Sequence, residues 1–225
     1  MLKVFIGYDP NETVAYHVLA HSILRHASGP ISITPLKLDQ LPMTRERTPT
    51  QSTEFSFSRF LVPWLCGYRG KALFMDCDML ARADISELFN VRYSEPVCVV
   101  KHDYTPKVGN KFLDQVQTNY QKKNWSSVML FNNDMCRSLT PAVVNRATGL
   151  YLHQFMWAEE VGSLDKDFNH LVGEYPPNPD AKIVHYTLGT PCFAKYADCE
   201  FSKEWREERS MMLDYNRSEE LKAAA

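Results

Sequence analysis

Apolar residues along the chain fall into short runs, and these runs alternate with stretches of helical spacing. Val4-Phe5-Ile6 opens the series and predicts a buried strand over residues 4–7. Pro10 and Asn11 break it, and Asn11 is placed to cap the next helix. Over residues 12–27, Ala15, Leu19 and Ile23 recur every four positions, which predicts an amphipathic helix. Residues 31–38 predict a second strand. Residues 39–54 are polar, contain Pro42 and Pro49, and read as a long loop, either a lid over a site or a plain insertion. A helix is predicted over 55–66, perturbed near Pro63 and closed by Gly67 and Gly70. Ala72-Leu73-Phe74-Met75 is a short apolar strand that runs directly into Asp76. Asp84 caps a short helix over 84–89, and further buried strands are predicted at 97–100, 128–131 and 183–186. Residues 139–148 and 200–221 read as helices, and 187–191 as a turn around Gly189 and Pro191.

Strands alternating with helices predict an α/β layered fold with a largely parallel central sheet flanked by helices. Ligands of such folds bind beyond the carboxyl ends of the strands. Several polar groups lie just past predicted strands: Tyr8 and Asp9, Asp76 and Asp78, Lys101 with His102 and Asp103, and Asn132 with Asn133. A chain of 225 residues, 44% hydrophobic, suits a single domain, expected over residues 1–222. The terminal Ala223-Ala224-Ala225 reads as a cloning remnant.

Composition removes several classes of function. The formal net charge of −2 is spread without blocks, so no electrostatic footprint for nucleic acid is expected. Met1-Leu2-Lys3 leads straight into the first strand, and no apolar run approaches membrane-spanning length. The expected location is the cytoplasm, with peripheral membrane contact left open. The six cysteines form no C-x-x-C pair and read as free thiols. Most of the abundant aromatic residues are assigned to the core, Trp157 included. Trp125 is balanced between core and a sugar-stacking surface.

The strongest candidate chemistry is Asp76-Cys77-Asp78. Two carboxylates one residue apart at a strand end converge on one hard cation, and Mg²⁺ or Mn²⁺ offsets the charge of a diphosphate. As a bare pattern, D-x-D equally describes a capped turn with a solvated acid. His185, at another strand end, offers a third ligand, although a lone histidine is more often structural. Arg59 is placed to bridge phosphate or to hold the carboxylates. Tyr8 is either a stacking partner for a base or a core residue.

Together these segments resemble glycosyltransferase family 8, the glycogenin and lipopolysaccharide-galactosyltransferase group. Residues 4–9 look like its first strand and base loop, and Phe57-Ser58-Arg59-Phe60 like the helix before the metal motif. Residues 72–80 look like the D-x-D strand, and 84–89 like the segment after it. Residues 126–132 look like the strand beside the donor sugar, and 185–191 like the late metal-ligand turn. The resemblance implies a GT-A fold and a UDP-sugar donor. It also implies Mn²⁺ or Mg²⁺ on Asp76, Asp78 and His185, and transfer with retention to a glycan or other acceptor. It implies donor contacts from Gly7, Tyr8, Asp9, Arg59, Asp76, Cys77, Ser126, Ser127 and Gly189. The chain departs from the family at Trp125-Ser126-Ser127, where an Asn-Ser/Ala-Gly run is usual. It departs again at Thr190, where the family carries a lysine before its proline. Lys195 or Lys71 is then the candidate diphosphate contact. The family's Asp-Gln pair has no clean match. Glu159, Glu160, Asp165 and Asp103 are the acidic candidates near the reacting carbon, with Glu160, Asp103 and Arg59 taken as the catalytic set. Three other readings compete. A metal phosphohydrolase would need a richer His/Asp cluster than the sequence holds. A nucleotidyltransferase would want a Gly-rich basic loop, which residues 7–12 lack. A non-catalytic nucleotide-sugar-binding module would bind without turnover.

Overall fold

The computed structural model describes residues 1–47, 51, 53–103 and 121–214. Strand β1 (Leu2–Gly7) is buried without alternation from Val4 onward, as a strand covered on both faces must be. Helix α1 (Thr13–His26) comes next and turns Ala15, Tyr16, Val18, Leu19, Ser22 and Ile23 inward. It returns the chain to β2 (Ile31–Leu36), which pairs parallel with β1. Pro35 fits there because β2 is an edge strand. The segment predicted as one helix over 55–66 is not one. It is a turn, a 3₁₀ segment at Ser58–Leu61, and a four-residue α2 (Val62–Leu65). Pro63 starts α2 where its missing N–H costs nothing. Gly67, Tyr68 and Gly70, all at positive φ, then reverse the chain into β3 (Lys71–Met75).

After Asp76-Cys77-Asp78 the chain enters β4 (Met79–Ala81) and α3 (Ser86–Asn90), with Asp84 accepting from the Ser86 N–H as a cap. Strands β5 (Val97–Val99), β6 (Val128–Asn132) and β7 (Val161–Ser163) complete the main sheet. Its order is β2-β1-β3-β6-β5-β7, with β6 antiparallel to both neighbours and the other pairs parallel. The predicted helix over 139–148 is the shorter α4 (Pro141–Arg146), capped by Thr140, and Thr148 caps a separate α5 (Gly149–His153) beyond the predicted range. Strands β8 (His170–Leu171) and β9 (Ile183–His185) join β4 in a second sheet of order β4-β9-β8. Helix α6 (Ser202–Leu213) packs across α1 through buried Trp205. Its buried Glu208 meets Arg25 and His21 at 2.7 and 2.6 Å. Residues 215–221 of the predicted last helix, the terminal alanines and part of the 39–54 loop lie outside the described residues.

Two details of this scaffold bear on the site. The strand order turns back at β1, so the crevice between the carboxyl ends of β1 and β3 is the topological switch point. Gly7 ends β1 there, and a Cβ on it would lie 2.3 Å from the Phe55 ring. Phe55 is fully buried, with no room to retreat. Gly7→Ala is therefore expected to destabilise the fold by about 1–3 kcal/mol, the cost of overpacking a filled core, read as a lower denaturation midpoint with an unchanged m-value.

Candidate metal centre at the sheet junction

Asp76-Cys77-Asp78 links the two sheets, since β3 ends at Met75 and β4 begins at Met79. Antiparallel pairing sets Met79 opposite His185, and the Tyr186 N–H donates to the Asp78 carbonyl at 2.9 Å. This register carries the imidazole to the carboxylates from a distant part of the sequence. Among the described residues, Asp76, Asp78 and His185 are the group of three that could hold a metal ion, each offering one ligand atom within 4.8 Å of the others. His185 Nε2 lies 3.3 Å from Asp78 Oδ1, and its Nδ1 lies 2.9 Å from Asn169 Oδ1. The amide oxygen accepts, so Nδ1 carries a proton, and Nε2, which faces the Asp78 carboxylate, is the nitrogen where a cation can take the place of a proton. Two carboxylate oxygens and one imidazole nitrogen suit Mn²⁺ or Mg²⁺.

Arg59 is buried behind this trio. Its Nη1 meets Asp76 Oδ1 at 2.8 Å and the Ser126 carbonyl at 2.8 Å, and its guanidinium lies near the Phe74 ring. It therefore holds a candidate metal ligand. The Asp76 N–H in turn donates to the Ser127 carbonyl at 2.9 Å. Ser126 Oγ meets His153 Nδ1, Ser127 Oγ donates to the Asn124 carbonyl, and both serines are buried. The pair expected beside a donor sugar thus braces the Asp76 loop.

Glu12 is a site residue that the sequence reading missed. It reads as the first residue of an amphipathic helix, yet it is buried and its Oε2 meets the Cys77 thiol at 3.8 Å. Burial pushes its carboxyl well up, and the charges of Asp78, Asp9 and Asp76 push it further. The Cys77 contact opposes them. Burial likewise pushes the Cys77 thiol well up, so Cys77 is a packed wall of the site and no nucleophile at neutral pH. A carboxyl raised in the folded state favours folding below its unfolded value and weakens it as pH rises through its folded value. Glu12→Gln is expected to match the native chain at about pH 4. In metal-free buffer at about pH 8 it should melt about 2–4 °C higher, the equivalent of roughly 1 kcal/mol. Equal melting temperatures at both pH values would show that Glu12 carries no such strain.

The remaining predicted residues fall into two groups. Gly7, Tyr8 and Asp9 lie at the carboxyl end of β1, in the switch-point crevice. Asp9 is buried and accepts from the Asn11 N–H, the Asn11 side chain and the Glu54 N–H. It, and not Asn11, caps the turn before α1, because that turn begins at Pro10. Tyr8 is half-buried, with its hydroxyl 3.2 Å from that of Thr13 and its ring edge-on to Tyr16. Gly189, at φ +146°, leaves a Cβ position 2.3 Å from the Tyr196 ring, and Lys195 is exposed beside that ring. Asp103 follows β5 at the site end of the sheet, exposed and beside Tyr175. Trp125 is half-buried, donates to the His102 carbonyl and has Lys101 and Lys122 near its ring.

The structure carries other candidates away from the site. Glu160 precedes β7, which runs parallel to β5, so it sits at the opposite end of the sheet from Asp76, as does Glu159. Asn132 and Asn133 are displaced for the converse reason: β6 is antiparallel, and Asn132 pairs with Lys71 at the start of β3. Lys71 itself donates to the carbonyls of Phe89 and Val91, far from any diphosphate held at Asp76. Asp165 follows β7 at the site end and caps the next turn through the Asp167 N–H.

Protein CDI of Arabidopsis thaliana is 44% identical over 237 aligned residues, covering 98% of this chain and 90% of that protein. The chain belongs to the Protein CDI family. No family model matches it. Solved structures show what fold the CDI-family chain has. The bifunctional glycosyltransferase WbbM aligns over 93% of this chain with a TM-score of 0.67 at 17% identity. The glycosyltransferase GlyE of Streptococcus pneumoniae TIGR4 aligns over 97% with 0.62 at 14%. The galactosyltransferase LgtC, in complex with donor and acceptor sugar analogs, aligns over 93% with 0.57 at 11%. The chain spans 49% of WbbM and 64% of GlyE, but 96% of LgtC. The CDI-family fold is thus the mixed α/β, GT-A-like fold of these glycosyltransferases, with its mostly parallel central sheet.

Proposed function

We propose that the chain is a metal-dependent glycosyltransferase. It moves a sugar from a UDP-linked donor to a glycan or other acceptor, with residues 1–222 acting as one catalytic domain of the family 8 type. The observation that carries this reading is the convergence of Asp76, Asp78 and His185 where the two sheets of a glycosyltransferase-like fold meet. A divalent cation held by these three would supply Lewis-acid stabilisation for the charge that gathers on a departing diphosphate. Arg59 fixes Asp76 so that its carboxylate does not reorganise during the reaction. Asn169 keeps the His185 ring in place. Gly7 and Tyr8, at the switch-point end of β1, are the proposed surface for the uracil base, and Gly189, whose missing side chain leaves room for the Tyr196 ring, is the proposed contact of the late turn with the diphosphate. Asp103, exposed at the site end of β5, is the proposed acid near the reacting carbon. Retention is carried over from the family resemblance. The cytoplasmic location is proposed on the six cysteines, all unpaired. No helix among the described residues is long and apolar enough to cross a membrane.

The test is nucleotide-dependent. UDP with Mn²⁺ is expected to raise the melting temperature more than GDP or ADP with Mn²⁺ does. A panel of UDP-sugars should then show metal-dependent hydrolysis, with the anomeric product read by NMR. A larger shift with GDP would overturn the donor assignment. UDP binding without turnover of any donor would make the chain a binding module, and release of pyrophosphate from a nucleoside triphosphate would make it a nucleotidyltransferase.

A further inference from the structure

The three candidate ligands are tied into one closed circuit of contacts. Asp76 binds Arg59, Arg59 binds the Ser126 carbonyl, and Ser127 returns its own carbonyl to the Asp76 N–H. From Ser127 the circuit passes to Asn169, from Asn169 to His185, and from His185 to Asp78. Asn169 is fully buried, as Ser127 and His185 nearly are. The direction of each proton is set by the chemistry of the groups. The Asn124 carbonyl can only accept, so Ser127 Oγ, 2.6 Å away, gives it its single proton. Ser127 Oγ must then accept from Asn169 Nδ2, 2.8 Å away, which leaves Asn169 Oδ1 facing His185 Nδ1 at 2.9 Å. An amide oxygen holds the proton of the ring on Nδ1. We propose that Asn169 is a positioning residue for the metal centre. It fixes His185 as the Nδ1–H tautomer, so that Nε2 is the ligand atom, and it ties the ring through Ser127 to the Asp76 loop. The metal part of this proposal rests on the reading of Asp76, Asp78 and His185 as a cation site; the tautomer part does not.

The test uses the full chain with ¹⁵N-labelled histidine. In the metal-free native protein, His185 is expected by its ring-nitrogen shifts to carry a proton on Nδ1, alone or with a second on Nε2 facing Asp78, and never on Nε2 alone. Asn169→Leu removes the amide contacts to His185, to Ser127 and to the Asn124 carbonyl. It is expected to mix the two tautomers and to weaken Mn²⁺ binding, titrated by EPR, by about 10–100-fold. Asn169→Asp still accepts from Nδ1–H and is expected to keep the tautomer and an affinity within about threefold of native. Ser127→Ala leaves the amide held only by the longer 3.4 Å contact of Nδ2 with the Asn124 carbonyl, and is expected to give a mixed tautomer and an intermediate affinity. Should Asn169→Leu fail to fold by circular dichroism, the Asp and Ser127→Ala variants decide. An Nε2–H tautomer in the native protein overturns the proposal. So does native tautomer and native Mn²⁺ affinity in Asn169→Leu, or in Ser127→Ala where the leucine variant does not fold. A native Nδ1–H ring in a protein that binds no Mn²⁺ would instead refute the metal site while leaving the role of Asn169 in setting the ring.

Discussion

Asp78→Ala is expected to lower metal-dependent hydrolysis of a UDP-sugar by about a hundredfold or more. Lewis-acid stabilisation is worth several kcal/mol, and each 1.4 kcal/mol is about a factor of ten in rate. The substitution is a clean probe. The Asp78 carbonyl, which pins the chain to the Tyr186 N–H, stays in place, so the β4-β9 register survives. Only the carboxylate beside His185 Nε2 is lost. The loss also removes one of the charges crowding Glu12, so the metal-free variant should melt no lower than the native chain. Mn²⁺ titration and initial rates with Mn²⁺ in excess are the two measurements. Asp76→Ala should abolish turnover as well, but its result is harder to read, because it also strands Arg59. Full activity in both variants would remove the metal assignment.

How much of this site the sequence discloses depends on whether a residue's place is set locally or by strand direction. Asp76 and Asp78 are legible because an apolar run ends at Met75, and a strand end is a local feature. Asn132 and Asn133 read equally well as polar residues past a strand, yet they lie at the wrong end of the sheet, as does Glu160, which is a candidate only as an acid for the family's unmatched Asp-Gln pair. Nothing in Val128-Met129-Leu130-Phe131 tells a parallel strand from an antiparallel one, and the reversal of β6 moves Ser126 and Ser127 to the site in their place. Asn169 was invisible for another reason. Its neighbour β8 is two residues long and has no period to detect, and its value lies in contacts with Ser127 and His185 that are distant in sequence. Glu12 shows a third kind of failure. An acidic residue at the start of a helix is favoured by the helix dipole and normally solvated, and only the meeting of the β1 and β3 loops buries it. The α/β class and the sheet core were recoverable from periodicity. Of the second sheet only β9 was, as the strand expected at 183–186; β4 and β8, three and two residues long, were not.

Arg59→Met is expected to cost about 3–5 kcal/mol of stability, the largest loss for any single change near the site. Methionine fills much of the space against Phe55 and Phe74 but removes the guanidinium. What remains is the penalty of a broken buried pair. The Asp76 carboxylate, with 15% of its side chain exposed, loses its 2.8 Å partner, and the Ser126 carbonyl loses its donor. For a chain of this size the melting temperature should fall by roughly 10 °C. Arg59→Lys keeps the charge without the planar fork and cannot reach Asp76, Ser126 and Phe55 together, so an intermediate fall is expected. The decisive comparison adds Asp76→Asn to Arg59→Met. If the cost arises from an uncompensated carboxylate, the double variant melts higher than Arg59→Met alone, with a coupling energy of about 1–3 kcal/mol. If the guanidinium matters only as packing, the two losses add. Mn²⁺ supplies an independent check, because a cation bound at Asp76 takes over part of the charge compensation. It should therefore raise the melting temperature of Arg59→Met but have little effect on the double variant. A fall of less than about 2 °C in Arg59→Met, with no response to Mn²⁺, would show that Asp76 does not depend on Arg59.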